Sequence, residues 1–108
     1  MAQDFERNIA RNIGTSASTL RTANSDDAVV GINIANVHTS QILVDVYVTA
    51  SSADYYLVKN APIPTGSSLQ VLDGGAKIVL QTGDALKIVS NTASSCDAWV
   101  SVVDAIST

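Results

Sequence analysis

A two-residue alternation of side-chain character restricts this chain more than any other feature. In Val30–Ile34 and Ile42–Thr49, large aliphatic residues occupy every second position, and most positions between them are small or polar. Residues i and i+2 lie on the same face of an extended strand, so each segment predicts a half-buried β-strand. No helical periodicity appears after residue 18, and the sequence therefore predicts an all-β domain.

Turn-forming residues divide the chain into about eight short strands. Pro62 and Pro64 mark residues 60–66 as a loop, because proline cannot donate to a central strand, and residues 73–75 (Asp-Gly-Gly) predict a tight hairpin turn. The predicted strands are Ser18–Thr22, Val30–Ile34, Ile42–Thr49, Tyr55–Lys59, Ser68–Leu72, Lys77–Gln81, Ala85–Ser90 and Ala98–Asp104. About eight antiparallel strands in a chain of 108 residues favour a single β-sandwich or jelly roll.

The first residues of the chain show a different period. Phe5, Ile9 and Ile13 recur every four residues, between an aspartate placed to cap a helix and a glycine placed to end it. This spacing predicts a short amphipathic helix. We therefore expect an N-terminal helical arm of residues 1–17, followed by a β-sandwich domain of residues 18–108.

A helix as short as the predicted arm is not stable alone in water, so its apolar stripe must pack against something. One receiver is another protein chain, and the arm is then a docking element. Its docking residues would be Phe5, Arg7, Ile9, Arg11 and Ile13. The other receiver is the open end of the chain's own sandwich, which the helix would cap.

The charge and hydropathy of the chain bear on its partners. Ten acidic residues against six basic ones give a net charge of −4, so there is no overall positive field for nucleic acid or anionic lipid. The chain has no apolar run of roughly 18 to 20 residues, which a bilayer span needs, and its N-terminus lacks the apolar centre of a secretory signal. We therefore expect no nucleic-acid partner, no membrane association and synthesis in a cytoplasm.

Few side chains are available for acid–base or metal chemistry. His38 lies in a polar turn without a neighbour to orient it, and Cys96 is the single cysteine, so it has no partner for a disulfide or a zinc pair. The aspartates that could bind calcium are Asp26, Asp27, Asp45, Asp73 and Asp84. Their spacing matches no calcium loop, and most of them stand at turns. We expect no enzymatic activity, no cofactor and no metal site.

Three aromatic residues could offer flat rings for a sugar to stack on. They are Tyr55, Tyr56 and Trp99. Adjacent residues of a strand point to opposite faces, so at most one of the two tyrosines belongs to any given surface. A carbohydrate-binding surface is therefore an alternative to packing of these rings in the core or on a sheet face.

Four blocks in order give the chain a resemblance to a known group of proteins. They are residues 5–14 (FERNIARNIG), 30–36 (VGINIAN), 55–64 (YYLVKNAPIP) and 79–84 (VLQTGD). Together they resemble small virion-associated proteins of tailed bacteriophages, especially marine cyanophages, and the similarity extends over nearly the whole chain. The resemblance implies a structural role in a virion and supplies no catalytic residues.

A small aliphatic β-sandwich with a docking element suits a subunit that is repeated on a particle lattice. The first expectation is a head-decoration or cement subunit that binds the capsid through its N-terminal arm and a sheet edge. The alternatives are an accessory subunit of the neck, tail, baseplate or fibre, and a carbohydrate-binding module for host attachment. The expected partners are the major capsid protein or neck and tail proteins, and further copies of the chain in a homo-oligomer. The expected location is the virion, after synthesis in the host bacterial cytoplasm.

Overall fold

The computed structural model describes residues 4–72 and 77–106, which form two facing β-sheets. The strands in these ranges are β1 (Asp4–Ile13), β2 (Ser18–Thr22), β3 (Asp27–Asn36), β4 (Ile42–Ala50), β5 (Ala53–Ile63), β6 (Ser68–Leu72), β7 (Ile78–Leu80), β8 (Ala85–Ser90) and β9 (Cys96–Asp104). All their pairings are antiparallel, and the prediction of an all-β sandwich is confirmed. Across the described ranges no helix is long and apolar enough to cross a membrane.

The two sheets are built by pairing between strands that are far apart in the sequence. The first sheet has the order β1-β9-β3-β6, with β7 also paired to β3, and the second has the order β2-β8-β4-β5. Strands from opposite ends of the chain pair in a nested way, β1 with β9 and β2 with β8, as in the winding of a jelly roll. This winding places β1 at one edge of the first sheet.

The N-terminal segment differs from the sequence prediction, because β1 is a strand and the predicted helical arm is wrong. β1 pairs with β9 in regular register from Asp4 to Ala10. A spacing of four residues equals two strand periods as well as about one helical turn, so Phe5 and Ile9 fit both patterns. A helix this short is marginal alone, whereas the ladder with β9 satisfies backbone groups along one whole side of the segment.

The remaining strands follow the predicted pattern, although β3 and β5 are each longer than predicted. β2, β6 and β8 have the predicted bounds. β5 continues to Ile63, into residues 60–66, which were predicted as a loop. A proline is tolerated there because β5 is an edge strand of the second sheet, and Pro62 lies opposite Leu43 of β4. The hairpin turn predicted at residues 73–75 lies outside the described residues.

The core between the two sheets is aliphatic. Its largest fully buried side chains are Ile13, Ile32, Ile34, Ile42, Ile63, Leu80, Leu86, Ile88, Val29, Val44, Val46 and Val100. Each side chain of this kind contributes roughly 1.5–3 kcal/mol when it leaves water. The alternation in the sequence therefore corresponds to burial, with one face of each central strand packed between the sheets.

Candidate interaction surface

The outer face of the first sheet carries four large apolar side chains that are exposed. Phe5 is 88% exposed, Val79 is 59% exposed, and Ile9 and Trp99 are each 51% exposed. Phe5 and Ile9 lie two strand periods apart on β1, and Trp99 of β9 is directly opposite Ile9. We call these four residues the outer apolar face.

The strand register joins these side chains into two rows. The first row crosses four strands through Val79, Ala28, Val103 and Phe5. The second row runs through Asn33, Trp99 and Ile9. Directly opposite residues have Cβ atoms about 4.5–5.5 Å apart, so the first row is a continuous apolar strip across the sheet.

Arg7 and a shallow depression lie beside Trp99. The Arg7 guanidinium lies over the Trp99 ring, 5.3 Å from its centroid, which is a cation–π arrangement. The depression has a volume of about 320 Å³ and is lined by Ile9, Ala10, Arg11, Asp97, Ala98 and Trp99. Its walls therefore combine an aromatic ring, aliphatic groups and one charge of each sign.

The five residues predicted to dock another chain lie on β1 rather than on a helix. Phe5, Arg7, Ile9 and Arg11 occupy alternate, exposed positions on the outer side of the strand. Ile13 is only 2% exposed and packs in the core. The sequence itself contains this strand period, because the side chains at every second position from residue 5 to residue 13 are Phe, Arg, Ile, Arg and Ile. A docking role for these residues stays a prediction.

The inner side of β1 is polar and is bound by one arginine of the second sheet. Arg21 of β2 is 9% exposed. Its Nη1 atom donates hydrogen bonds to Glu6 Oε1 at 2.7 Å and to Asn8 Oδ1 at 3.3 Å. A buried ion is costly unless it is paired and hydrogen-bonded, so Arg21 ties β1 to the second sheet.

Asp27 is the fully buried partner of this arginine. Its Oδ2 atom accepts hydrogen bonds from Arg21 Nε at 3.0 Å and from Arg21 Nη2 at 2.9 Å. Asp104 of β9 joins them, since its Oδ1 atom accepts from Arg21 Nη2 at 3.2 Å. The Ser25 hydroxyl lies 2.9 Å from Oδ1 of Asp27 and 2.9 Å from Oδ1 of Asp104, and bridges the two carboxyl groups.

Three carboxyl groups thus share one guanidinium in the arginine cluster, which consists of Arg21, Glu6, Asp27 and Asp104. Burial acts to raise the pKa of Asp27, but hydrogen bonds with Asp104, Arg21 and Ser25 outweigh it and hold that pKa below its ordinary value of 3.8. The pKa of Asp104 is raised, first by its side-chain hydrogen bond with Asp27. Burial acts to lower the pKa of Arg21, yet its hydrogen bonds to Glu6 and Asp27 leave that pKa raised. Asp104 therefore takes up a proton before Asp27 as the pH falls.

A group of carboxylates at the surface overlaps this cluster. Asp4, Glu6 and Asp104 have carboxylate oxygens within 4.8 Å of one another. Glu6 and Asp104 already accept hydrogen bonds from Arg21, at 2.7 and 3.2 Å. The Arg21 guanidinium thus supplies the positive charge to which the Glu6 and Asp104 oxygens are directed.

The other side chains considered for chemistry serve local structure. His38 Nδ1 lies 3.1 Å from a serine hydroxyl of the same turn. Asp45 and Asp84 accept hydrogen bonds from backbone N–H groups at 2.7 and 3.0 Å, and Asp73 lies outside the described residues. Cys96 is fully buried, and burial raises the pKa of its thiol to about 11. An inert buried thiol is the result.

The three aromatic residues predicted as a sugar-binding surface do not come together. Trp99 lies on the first sheet, whereas Tyr55 and Tyr56 belong to β5 of the second sheet. The Tyr56 ring packs against Tyr47 with centroids 5.0 Å apart, and Lys59 Nζ lies 4.6 Å from the Tyr56 centroid. Neighbouring residues of a strand face opposite sides, so these residues offer separate rings instead of one platform.

Sequence reasoning missed the arginine cluster. The partners of Arg21 lie 6, 13, 15 and 83 residues away in the chain, so no local motif contains them. The one available signal is a charged residue inside a short predicted strand, followed within six residues by the pair Asp26-Asp27. That signal does not identify Glu6 or Asp104, because both depend on how β1 and β9 pair.

No protein-family model matches the chain, and no curated protein matches it. Among solved structures, a chain of Bacillus endospore appendages, described as a novel family of disulfide-linked pili, is 15% identical with a TM-score of 0.55. That match covers 98% of this chain and 88% of the pilus chain. A chain from the structure of the infectious bursal disease virus Gx strain is 11% identical with a TM-score of 0.53, over 97% of this chain and 34% of the viral chain. At these identities the matches show a shared fold.

Proposed function

We propose that this protein is a structural subunit of a virus particle, namely a head-decoration or cement subunit of a tailed bacteriophage. In this role many copies bind a capsid lattice, and each copy adds buried surface between neighbouring lattice subunits. The partners are the major capsid protein and further copies of this chain. The protein is made in the host bacterial cytoplasm and is located in the virion.

The outer apolar face is the observation that carries this proposal. Phe5, Val79, Ile9 and Trp99 lie on one side of one sheet, and each is more than half exposed. Burial of one such side chain contributes roughly 1.5–3 kcal/mol, so contact with a partner is favourable and exposure in a free monomer is a liability. These side chains stand on paired strands, which present them in a fixed arrangement, as a repeated lattice contact requires.

Two further observations support an assembled role. Similar folds occur in a pilus chain and in a chain from a virus, and four sequence blocks resemble virion-associated proteins of tailed phages. The pili are described as disulfide-linked, whereas the single cysteine of this chain, Cys96, is fully buried. We therefore propose that this subunit assembles without an intersubunit disulfide.

The outer apolar face can be tested on phage heads that lack the protein. The double variant Phe5→Ser and Val79→Ser removes the two most exposed apolar side chains of the face, and we expect it to fold normally but to lose binding to the heads. The matched control is Tyr55→Ser, which removes a side chain that is 61% exposed on the second sheet. Equal binding by the double variant and the native protein, measured by co-sedimentation, would contradict the proposal.

The place of the protein in the particle separates the virion roles. In cryo-electron microscopy of purified virions, many copies at the local symmetry axes of the head identify a decoration subunit. A few copies around the tail axis identify an accessory subunit of the neck, tail, baseplate or fibre. Absence of the protein from the particle overturns the virion role altogether.

A carbohydrate-binding surface at Trp99 alone is the second candidate function. The depression beside its half-exposed ring has charged and apolar walls, as a sugar ring with polar edges and an apolar face would need. We expect Trp99→Ala to abolish binding to any glycan that an array identifies, while Tyr56→Ala leaves it unchanged. An array without a bound glycan removes this candidate.

The proposed role includes no catalytic step. His38 is the single histidine, and its ring nitrogen Nδ1 is engaged with a serine hydroxyl in a turn. The discriminating experiment is an activity screen against hydrolase substrates with His38→Ala as the comparison. Turnover by the native protein that this variant loses would assign the protein to the enzymes instead.

A further inference from the structure

The free edge of β1 is the longest regular strand edge that the described residues leave open. β1 lies at the end of the first sheet and, within those residues, pairs with β9 alone. The side of β1 away from β9 therefore presents backbone N–H and C=O groups without strand partners. Such an edge is a template for pairing with another strand.

The other strands at sheet ends are less suited to pairing. β2 and β6 have five residues each. β5 has 11 residues, but it contains Pro62 and two irregularities in its register with β4, and both features limit strand addition. β1 has ten residues and no proline, and its register with β9 is regular from Asp4 to Ala10.

The inward charge on β1 does not block its edge. An inward-pointing charged residue is one device that protects sheet edges from pairing, and Glu6 occupies such a position. Its carboxylate is ion-paired within its own subunit with Arg21, whose Nη1 atom lies 2.7 Å from Glu6 Oε1 and whose guanidinium also binds Asp27 and Asp104. A second strand at this edge would therefore meet a carboxylate that is already directed to a guanidinium of its own subunit.

Among the registers centred on residues 7, 8 and 9, the middle of β1, the charges favour one for pairing between two copies. In an antiparallel pair related by a twofold axis, the outer faces coincide when odd-numbered residues lie opposite odd-numbered ones. Centring the pair on residue 7 places Arg7 opposite Arg7, and centring it on residue 9 places Arg7 opposite Arg11. Like charges directly opposite are destabilising. Centring on Asn8 places Arg7 opposite Ile9 and Phe5 opposite Arg11, without a like-charge pair.

We propose that two copies of this chain form a dimer by antiparallel pairing of β1 with β1, in which the twofold axis passes between the two Asn8 residues. This deepens the proposed function and rests on it, because the unit that binds the lattice becomes a dimer. The two outer apolar faces then lie side by side on one continuous sheet. Phe5, Ile9 and Trp99 of each copy contribute to a single surface about twice as large as that of the monomer.

Single cysteines introduced along β1 read the register directly. The native thiol of Cys96 is fully buried, so an introduced cysteine reports alone. In the proposed dimer, Asn8→Cys places two cysteines directly opposite, with Cβ atoms about 4.5–5.5 Å apart, within reach of a disulfide after a small adjustment. Arg7→Cys and Ile9→Cys place them on diagonals of about 7–8 Å. We expect Asn8→Cys to form disulfide-linked dimers under mild oxidation well before the other two variants.

A charge pair at one position tests the same register without a cross-link. Ile9→Lys places a positive charge opposite Arg7 of the second copy, twice per dimer, whereas Ile9→Glu places a negative charge there. Both variants remove the same apolar side chain. We expect Ile9→Lys to weaken dimerisation several-fold relative to Ile9→Glu in analytical ultracentrifugation, with the difference decreasing as salt is added.

The results separate failure of this inference from failure of the proposed function. A native protein that stays monomeric at high concentration, with no faster cross-linking at residue 8, overturns the dimer. Faster cross-linking at residue 7 or 9 overturns the proposed register. Equal loss of self-association in Ile9→Lys and Ile9→Glu indicates contact through the outer face rather than the strand edge, and so also overturns the inference. Binding of the protein to phage heads, and its loss in the Phe5 and Val79 double variant, tests the proposed function whichever of these results is found.

Discussion

The aromatic side chains on the outer faces of the two sheets are covered by their own chain to different degrees. On the second sheet, Tyr56 packs against Tyr47 and lies under the Lys59 ammonium group. On the first sheet, Phe5 is 88% exposed and Trp99 is 51% exposed. Tyr56 is still 46% exposed, so contacts within the chain cover the second face in part, whereas Phe5 on the first face is left almost fully open to a partner. Overall composition therefore says little about docking, because the same residue types produce both faces.

The edges of the two sheets show the same contrast. The edge strand β5 of the second sheet carries Pro62 and register irregularities, which are features that discourage pairing. The edge strand β1 of the first sheet has neither from Asp4 to Ala10. The open edge and the open apolar face thus coincide on β1, and this coincidence is why both proposals involve that strand.

The largest expected effect is that of a substitution that removes the arginine joining β1 to the second sheet. Arg21→Leu leaves the fully buried Asp27 without its guanidinium partner and frees the inner side of β1. Loss of one partner from a buried ion pair typically costs about 3–5 kcal/mol, and we expect a decrease of that size in the free energy of unfolding in urea. Arg11→Leu is the control, since an exposed substitution usually changes stability by less than about 0.5 kcal/mol. If the two variants lose equal stability, the arginine cluster does not anchor β1.

A smaller effect sharpens the contrast between the two faces. Tyr56→Ala removes the ring that packs against Tyr47, and such aromatic pairs contribute about 0.5–1.5 kcal/mol beyond their buried area. Phe5→Ala removes an aromatic ring that is 88% exposed, so we expect a change within about 0.5 kcal/mol. Thermal unfolding of both variants measures the difference. A larger loss in Phe5→Ala would show that this ring supports the monomer and is not held open for a partner.

The smallest expected effect is the pH dependence of the arginine cluster. The pKa of Asp27 is lowered from 3.8, so its contribution to stability is present above that value and is lost as the pH falls through the lowered pKa. The pKa of Asp104 is raised from 3.8, so its contribution is present below that value and is lost as the pH rises through the raised pKa. We expect Asp104→Asn to abolish the loss of stability that accompanies a rise in pH toward neutrality. The loss of stability that accompanies a fall in pH should remain.

Urea unfolding of the native protein and Asp104→Asn, compared across about pH 3 to 7, measures these two limbs. The control is Asp26→Asn, which removes a carboxyl group outside the arginine cluster. A constant difference between native protein and Asp104→Asn across the whole range would contradict the proton sharing between Asp104 and Asp27. Loss of the acid limb in Asp104→Asn would mean that Asp27 is not the group that titrates there.

The sequence predicted the central strands well because their signal is local. The alternation in Ile32–Ile34 and Ile42–Val46 directly reports which side chains face the core, whereas at the start of β3 a register shift buries Val29 in place of Val30. The spacing of Phe5 and Ile9 did not distinguish a helix from a strand, since a spacing of four residues fits both. Of the outer apolar face, Phe5 and Ile9 were among the predicted docking residues, whereas Val79 was not, and the predicted docking residue Ile13 lies in the core. Trp99 was proposed as a sugar-stacking ring and in fact lies directly opposite Ile9.

What the sequence determined by itself is the all-β character of the chain, its aliphatic core and the places of most turns, because periodicity and turn chemistry act over a few residues. What the tertiary structure alone decided is the partner of β1 and the burial of Arg21. Arg21 meets Asp104 across 83 residues of chain, and that contact exists only because the nested winding brings β1, β2 and β9 to the same edge. Pairing between distant strands is a property of the whole fold, since the hydrogen-bonding groups of a backbone are the same at every residue.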